Sequence, residues 1–316
     1  MSEPLTFDRQ ALFDLYTRWS ASQSAEEIPG VITLDSQQPG PEMGIMACTH
    51  GNEPAGLAAF GWLLAHQDLL KRGRVHLILN NIQAAGRYFN EAEDLSFTAH
   101  YRFIDRDMNR LKPGWEHDGS YESERVKTLH PLLKRLDHVL DLHSTSAPSD
   151  PMLIEITPQG PMLPVPGVNL AIQNIVPHLN APPLVALCNQ AIAHVLETGS
   201  HEDREALIMA QKASLSLLSE ADMWAHPLPE FSFTPEVYRI YETVVFPHDS
   251  YTLSTLVPHL GYLPQGTVLA TSDTGDRSQW PAWVITRDAY AIMPPQRLKP
   301  VHFGSEFMYL AEKLTS

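Results

Sequence analysis

The chain has 316 residues, 43% of them hydrophobic, and 22 Lys+Arg against 37 Asp+Glu for a formal net charge of −15. That length predicts one large domain followed by a smaller one, and the acidic balance argues against nucleic acid and anionic membrane surfaces as partners, so that any anionic ligand needs a local Arg cluster. With no run of about 18 apolar residues and no basic-then-apolar start, neither a membrane span nor a signal peptide is expected, and a cytoplasmic location is.

Residues 7–21 should form an amphipathic helix, with Leu12, Leu15, Tyr16 and Trp19 at helical spacing. Residues 31–34 and 43–48 read as strands, 54–64 as a helix with Pro54 in its first turn, and 74–80 as another strand. This alternation predicts an α/β fold with a mainly parallel mixed sheet and helices on both faces. Residues 81–113 show no sustained period and are expected to be irregular. They hold Arg87, Arg102, Arg106, Asn109 and Arg110, which marks the stretch as functional. A helix is expected over 122–136, with Val126, Leu129, Leu133 and Leu136 along one face, and Pro131 should kink or break it.

Strands are expected over 138–143, 151–156, 184–188 and 193–199, and a helix over 203–218. From about residue 227 strand-like segments (237–246, 267–270, and 283–285 to 291–292) alternate with Pro and Gly turns. The expected division is an α/β domain over 1–225 and a smaller β-rich C-terminal domain over 226–316. Cys48 and Cys188 cannot build a disulfide framework and are read as small buried hydrophobes.

Residues 48–54, Cys-Thr-His-Gly-Asn-Glu-Pro, place an imidazole and a carboxylate three residues apart on a strand-to-helix turn. Both are zinc ligands, and a catalytic zinc takes three protein groups and leaves one position to water. A surface His beside a helix-initial Glu has the same spacing, so the pair alone leaves both readings open. His143 and Glu197 fall at the carboxyl ends of expected strands, where ligands gather in parallel sheets. Two His and one carboxylate can hold zinc, which brings the pKa of its water toward ~7, and a second carboxylate can carry the proton to a leaving amine. Taken separately, residues 105–110 also fit a loop ion-pair network, and Glu197-Thr198-Gly199 a strand end and turn. His66, His76, His100, His138, His194 and His201 have no matching partner and read as ordinary histidines.

Taken together, 49–53 (Thr-His-Gly-Asn-Glu), 102–110 (Arg-Phe-Ile-Asp-Arg-Asp-Met-Asn-Arg), 141–143 (Asp-Leu-His) and 197–199 (Glu-Thr-Gly) resemble, in order and spacing, the succinylglutamate desuccinylase/aspartoacylase family, relatives of the zinc carboxypeptidases. The resemblance spans about residues 40–218 and implies a zinc carboxypeptidase-like fold. It implies one Zn²⁺ per chain on His50, Glu53 and His143, Glu197 as general base and acid, and Arg102 polarising the scissile carbonyl. Asn109 and Arg110 match the pair that binds the carboxylate of the amino-acid half, and Asp107 is expected to orient the loop or a ligand. Tyr290 of the β-domain is expected to help close the pocket.

The function implied is a zinc-dependent deacylase that cleaves the amide bond of an N-acyl amino acid or a similar small carboxylate-bearing amide. A metallocarboxypeptidase on short peptides and a non-catalytic carboxylate-binding protein remain as alternatives. The partner is a small molecule, with a homo-oligomer allowed. The chain departs from the family pattern in two places. No Lys or Arg occurs between Arg135 and Arg204, where relatives acting on dicarboxylic substrates carry an Arg, so one essential carboxylate and a neutral remainder are expected. Thr198 stands where a Cys often follows the catalytic Glu.

Overall fold

A computed structural model describes residues 8–24, 27–91, 99–145, 148–157, 161–188, 191–201, 203–226, 228–246, 248, 250–273, 281–295, 298 and 306–314. Residue 7 of the expected first helix, residues 92–98 of the expected irregular stretch and Ser146 lie outside them. The chain divides into two compact units, residues 1–171 with 181–235, and residues 172–180 with 236–316.

The first unit runs α1 (Arg9–Ser20), β1 (Val31–Asp35), β2 (Glu42–Ala47), α2 (Ala55–Ala65), β3 (Arg74–Leu79), α3 (Ile82–Glu91), α4 (Tyr121–Leu133), β4 (His138–Thr145) and β5 (Met152–Glu155). Next come β6 (Leu170–Gln173), whose residues are shared between the units, then β7 (Ile192–Ser200) and α5 (Arg204–Glu220). Its strands stand in the order β1-β3-β2-β4-β7-β5. The four central strands are parallel, and β1 and β5 pair antiparallel at the two sides.

The central strands carry near-continuous apolar runs because helices cover both of their faces. Ile45, Ala47, Leu77, Leu79, Leu140 and Leu142 join one core with Trp19 of α1, Leu57, Phe60 and Leu63 of α2, and Ala210 and Leu217 of α5. On the alternate residues, Gly44 leaves room for Leu136, just past α4: a Cβ there would lie 2.6 Å from the Leu136 side chain. The α1 and α5 helices begin at Asp8 and Asp203, each of which caps a backbone N–H of the first turn.

Three expectations need correction. Residues 82–91 are helical, because Ala84, Ala85, Tyr88 and Phe89 recur at helical spacing and bury one face. Residues 184–187 form a 3₁₀ turn rather than a strand; the run follows Pro182 and Pro183, and a short apolar run does not by itself distinguish a strand from a turn. Pro131 lies inside α4, which ends two residues later. One lost hydrogen bond near a helix end is cheaper than one in the middle. Residues 170–173, 251–253, 262–263 and 308–314, for which the pattern carries no strand expectation, also form strands.

The second unit holds β8 (Glu236–Val244), β9 (Tyr251–Leu253), β10 (Tyr262–Leu263), β11 (Val268–Ser272), β12 (Trp283–Val284), β13 (Ala289–Ile292) and β14 (Met308–Leu314). The order β8-β14-β13-β10 is antiparallel throughout, and β12-β11-β9 form a small separate sheet. Phe246, Tyr251, Leu253, Ile285 and Phe307 fill its core.

Candidate metal centre and the loop that serves it

The parallel register fixes where the polar side chains emerge. Ala47 at the end of β2 pairs with Leu142, so His143 is the next residue outward on β4, and Glu197 of β7 lies directly opposite His143. Beyond that pair β7 carries one extra residue, with Thr145 opposite Ser200. Gly199 sits in this bulge at φ 117, a conformation an L side chain rarely adopts, and Thr198 Oγ1 donates to the His143 carbonyl at 2.8 Å.

After β2 the chain turns sharply. Cys48 holds φ 54, which costs a non-glycine residue roughly 1–2 kcal/mol, and its carbonyl accepts from Asn81 N at 3.0 Å. Burial, with Glu53 and Asp141 nearby, keeps its thiol protonated. At Gly51 a Cβ would lie 2.3 Å from the Ala84 backbone, so the turn closes only with glycine there. The turn delivers His50 and Glu53 ahead of α2.

The ligand atoms of His50, Glu53 and His143 all lie within 4.8 Å of one another, and the three residues are buried. His50 Nδ1 is 2.9 Å from Glu53 Oε1, and His143 Nδ1 is 2.8 Å from Glu53 Oε2. Each ring turns its other nitrogen to an aspartate: His50 Nε2 is 3.2 Å from Asp107 Oδ1, and His143 Nε2 is 2.9 Å from Asp141 Oδ2. Such a carboxylate behind each imidazole fixes its tautomer and orientation, as in metal sites.

Behind His143 the chain of bonds continues. Thr49 Oγ1 donates to Asp141 Oδ1 at 2.8 Å, and Asn80 Nδ2 donates to Thr49 Oγ1 at 2.7 Å. The ends of β2, β3 and β4 are thereby linked in a buried line.

Electrostatics follow from this packing. Burial opposes charge on Glu53, yet the His50 and His143 imidazoles outweigh it and hold the carboxyl well below its usual range. Burial likewise disfavours charge on His143, and Asp141 and Glu53 overturn it, raising its pKa well above the ordinary value. Glu197 moves the other way. Burial lifts it to about 7, with His143 opposing the shift and Glu53 adding to it. The residue is partly exposed, but its Oε2 is buried with no hydrogen-bond partner among the described residues.

The loop before α4 supplies the cations. Arg102 Nη1 donates to Glu53 Oε1 at 3.0 Å and its Nη2 lies 2.9 Å from His50 Nε2. Asp107 Oδ1 also accepts from Asn109 N at 2.8 Å. Burial resists its ionisation, but His50 dominates and its pKa is lowered. Asn109 Oδ1 accepts from Leu184 N at 3.0 Å, and Arg110 Nη1 donates to the Asn109 carbonyl at 2.8 Å.

The structure therefore gathers His50, Glu53, His143, Arg102 and Asp107 into one contact network, sets Glu197 opposite His143, and puts Asn109 and Arg110 on the same loop. Tyr290 belongs to the second unit, on β13, half-buried with its ring 5.2 Å from Tyr238 and 5.4 Å from Tyr262.

Sequence reasoning assigned no role to Asp141, Thr49, Asn80 or the Ser144–His201 pair, in which Ser144 Oγ is 2.6 Å from His201 Nδ1. Asp141 had a usable signal, because an Asp two residues before a His on a strand shares its face. The others meet only in three dimensions.

Residues 39–165 match the family model described as the succinylglutamate desuccinylase/aspartoacylase catalytic domain. No curated protein gives a sequence match. Among solved structures, succinylglutamate desuccinylase from Vibrio cholerae is similar in fold at 18% identity, over 96% of this chain and 94% of that one, with a TM-score of 0.68. The Chromobacterium violaceum desuccinylase matches at 17% identity over 96% and 98% of the two chains, TM-score 0.66. A product-bound ectoine utilization protein from Ruegeria pomeroyi matches at 15% identity over 92% of each, TM-score 0.62.

Proposed function

We propose, from the match of residues 39–165 to the catalytic-domain model of the succinylglutamate desuccinylase/aspartoacylase family, that the chain is a member of that hydrolytic family and a zinc-dependent deacylase acting on an N-acyl amino acid or a similar small amide with one carboxylate. The observation that carries this reading is the convergence of one ligand atom each from His50, Glu53 and His143 within 4.8 Å, each ring backed by an aspartate, with Glu197, its pKa raised to about 7, on the neighbouring strand.

Two nitrogens and one oxygen donor suit zinc, so His50, Glu53 and His143 would hold one ion per chain. When bound, such a metal brings the pKa of a water toward ~7 and polarises a carbonyl. Metal entry also requires the imidazoles to give up the protons that Glu53, Asp107 and Asp141 stabilise, so affinity rises with pH.

Glu197 is the group to take the proton of the attacking water and hand it to the leaving nitrogen, because a base poised near the working pH serves both transfers. Arg102, already against the ligand set, places its guanidinium to stabilise charge developing on the carbonyl oxygen. Asn109 and Arg110 grip the substrate carboxylate through amide and guanidinium N–H groups, and Asp107 couples that grip to the His50 ring. The absence of any Lys or Arg from 136 to 203 favours an acyl side without a charge.

Primary-amine release from a panel of N-acetyl, N-formyl and N-succinyl amino acids, comparing zinc-loaded wild type with His143→Ala, tests this. Release by wild type alone supports the deacylase. A flat panel from protein shown to hold one zinc refutes it, and preference for an N-succinyl substrate refutes the neutral acyl side.

A further inference from the structure

Residues 104–106 have no regular secondary structure, yet they separate Arg102 from Asp107, Asn109 and Arg110. What fixes them is a single side chain. Glu122, in the first turn of α4 and 2% exposed, accepts from Ile104 N at 2.7 Å through Oε1 and from Asp105 N and Arg106 N, both at 3.1 Å, through Oε2. Three successive backbone N–H groups thus wrap one carboxylate, an anion nest with the anion supplied by the protein itself.

A fourth donor, Asn81 Nδ2, reaches Oε1 at 3.0 Å, while Asn81 Oδ1 accepts from Ala84 N at the start of α3. In return Asp105 Oδ2 accepts from Tyr121 N at 2.9 Å, at the beginning of α4. Loop and helix therefore cap each other, and the end of β3 is tied to both.

We propose that Glu122 is a positioning residue for the reaction proposed above: its buried carboxylate sets the conformation of the loop that aims Arg102 and carries the Asn109–Arg110 carboxylate grip. Burying a carboxylate is costly unless its oxygens are satisfied, and four donors satisfy this one. The neighbouring ion pair cannot replace it, since Arg106 is 59% exposed where it meets Asp118 and exposed pairs hold little. The outer anchors, Gly51 N to the Arg102 carbonyl at 2.9 Å and Leu111 N to the Pro182 carbonyl at 2.9 Å, secure the ends of the loop and leave 104–106 to Glu122. A displacement there moves Arg102 two residues upstream and Asp107 one residue downstream, and errors of about 1 Å in such groups can cost 10²-fold in rate.

Glu122→Gln keeps the size but turns an amide N–H₂ toward backbone N–H groups. The proposal rests on the deacylase reading, so the test has two arms. In the first, amide hydrogen exchange of residues 104–106 is measured in wild type and E122Q, with Val126→Ala as a variant that thins the same helix at a buried apolar position and leaves the four donors to Glu122 in place. Slow exchange in wild type and V126A that becomes at least tenfold faster in E122Q supports the proposal. Equal exchange in all three overturns it.

In the second arm, kcat and KM are measured on an N-acyl amino acid and on its carboxamide. A rise in KM of at least tenfold for the acid, a much smaller one for the carboxamide, an unchanged KM in V126A, and metal affinity within twofold of wild type by chelator competition support it. Equal losses on both substrates, or the same KM change in V126A, overturn it. A wild type inactive on the panel refutes the deacylase reading and leaves the exchange arm to decide the role of Glu122. Should E122Q not fold, Glu122→Asp, which keeps the charge on a shorter stem, gives the same comparisons.

Discussion

Glu197→Gln should separate catalysis from stability, with opposite signs. The carboxyl of Glu197 sits at about 7 instead of its ordinary 4.5, raised first by burial, and its Oε2 has no hydrogen-bond partner among the described residues. In the unfolded chain the group ionises near 4.5, while in the folded chain it stays protonated until about 7. The folded state therefore bears a cost that is absent below pH 4.5, grows between 4.5 and 7, and is full above 7.

A pKa difference of this size is worth about 3 kcal/mol, and the partial exposure of the residue reduces it to roughly 2 kcal/mol. Glutamine removes that cost. Metal-free E197Q should thus be more stable than wild type by roughly 2 kcal/mol at pH 8 and equal to it at pH 4.5, as read from urea unfolding with an unchanged m-value. The zinc-loaded variant should lose 10²- to 10⁴-fold in kcat, the usual share of a general acid–base group. Destabilisation by E197Q at pH 8, or retained activity, would refute both the origin of the raised pKa and the role of the residue.

Two further outcomes follow from other parts of the site and core. Thr49→Val breaks the buried line from Asn80 to Asp141 behind His143, so zinc affinity measured by chelator competition should fall about 10- to 100-fold; Thr49→Ser should restore it, and unchanged affinity would show that His143 is oriented without that line. His194, buried on β7, has its pKa lowered to about 4 by burial and then by nearby His138. Its unfolded value near 6.5 is higher, so the unfolded chain takes the proton first and stability is lost as pH falls from 6.5 to 4, by about 3 kcal/mol. His194→Leu should flatten the stability of the protein over that window in denaturant melts, and an unaltered slope would place the acid sensitivity elsewhere.

The sequence by itself determined the parallel core and singled out His50, Glu53 and His143, whose ligand atoms the fold brings within 4.8 Å of one another. Residues 43–47 of β2 are an unbroken apolar run and β4 is an apolar run broken only by Asp141 before it reaches His143, as a strand covered on both faces requires. Local chemistry was enough there, because ligand, strand end and turn lie within a few residues of one another, as from Ala47 to Glu53. It failed where identity of residue type hides the role. The buried face of α3 was hidden inside a stretch notable for its Arg residues, and 184–187 looked like a strand because a short apolar run carries no information about whether a pairing edge is free.

Only the tertiary structure decided which imidazole Asp107 stands behind and what in turn stands behind Asp141. Asp107 reaches His50 across 57 positions and Thr49 reaches Asp141 across 92, and no spacing rule connects them, because each pair is made by strands and loops that become neighbours only when the sheet forms. Glu122 shows the same limit: as a sequence position it is an ordinary acid in the first turn of a helix, and its four donors come from two other segments of the chain. Burial is what gives these contacts their strength, and burial is a property of the folded whole rather than of any stretch that contributes to it.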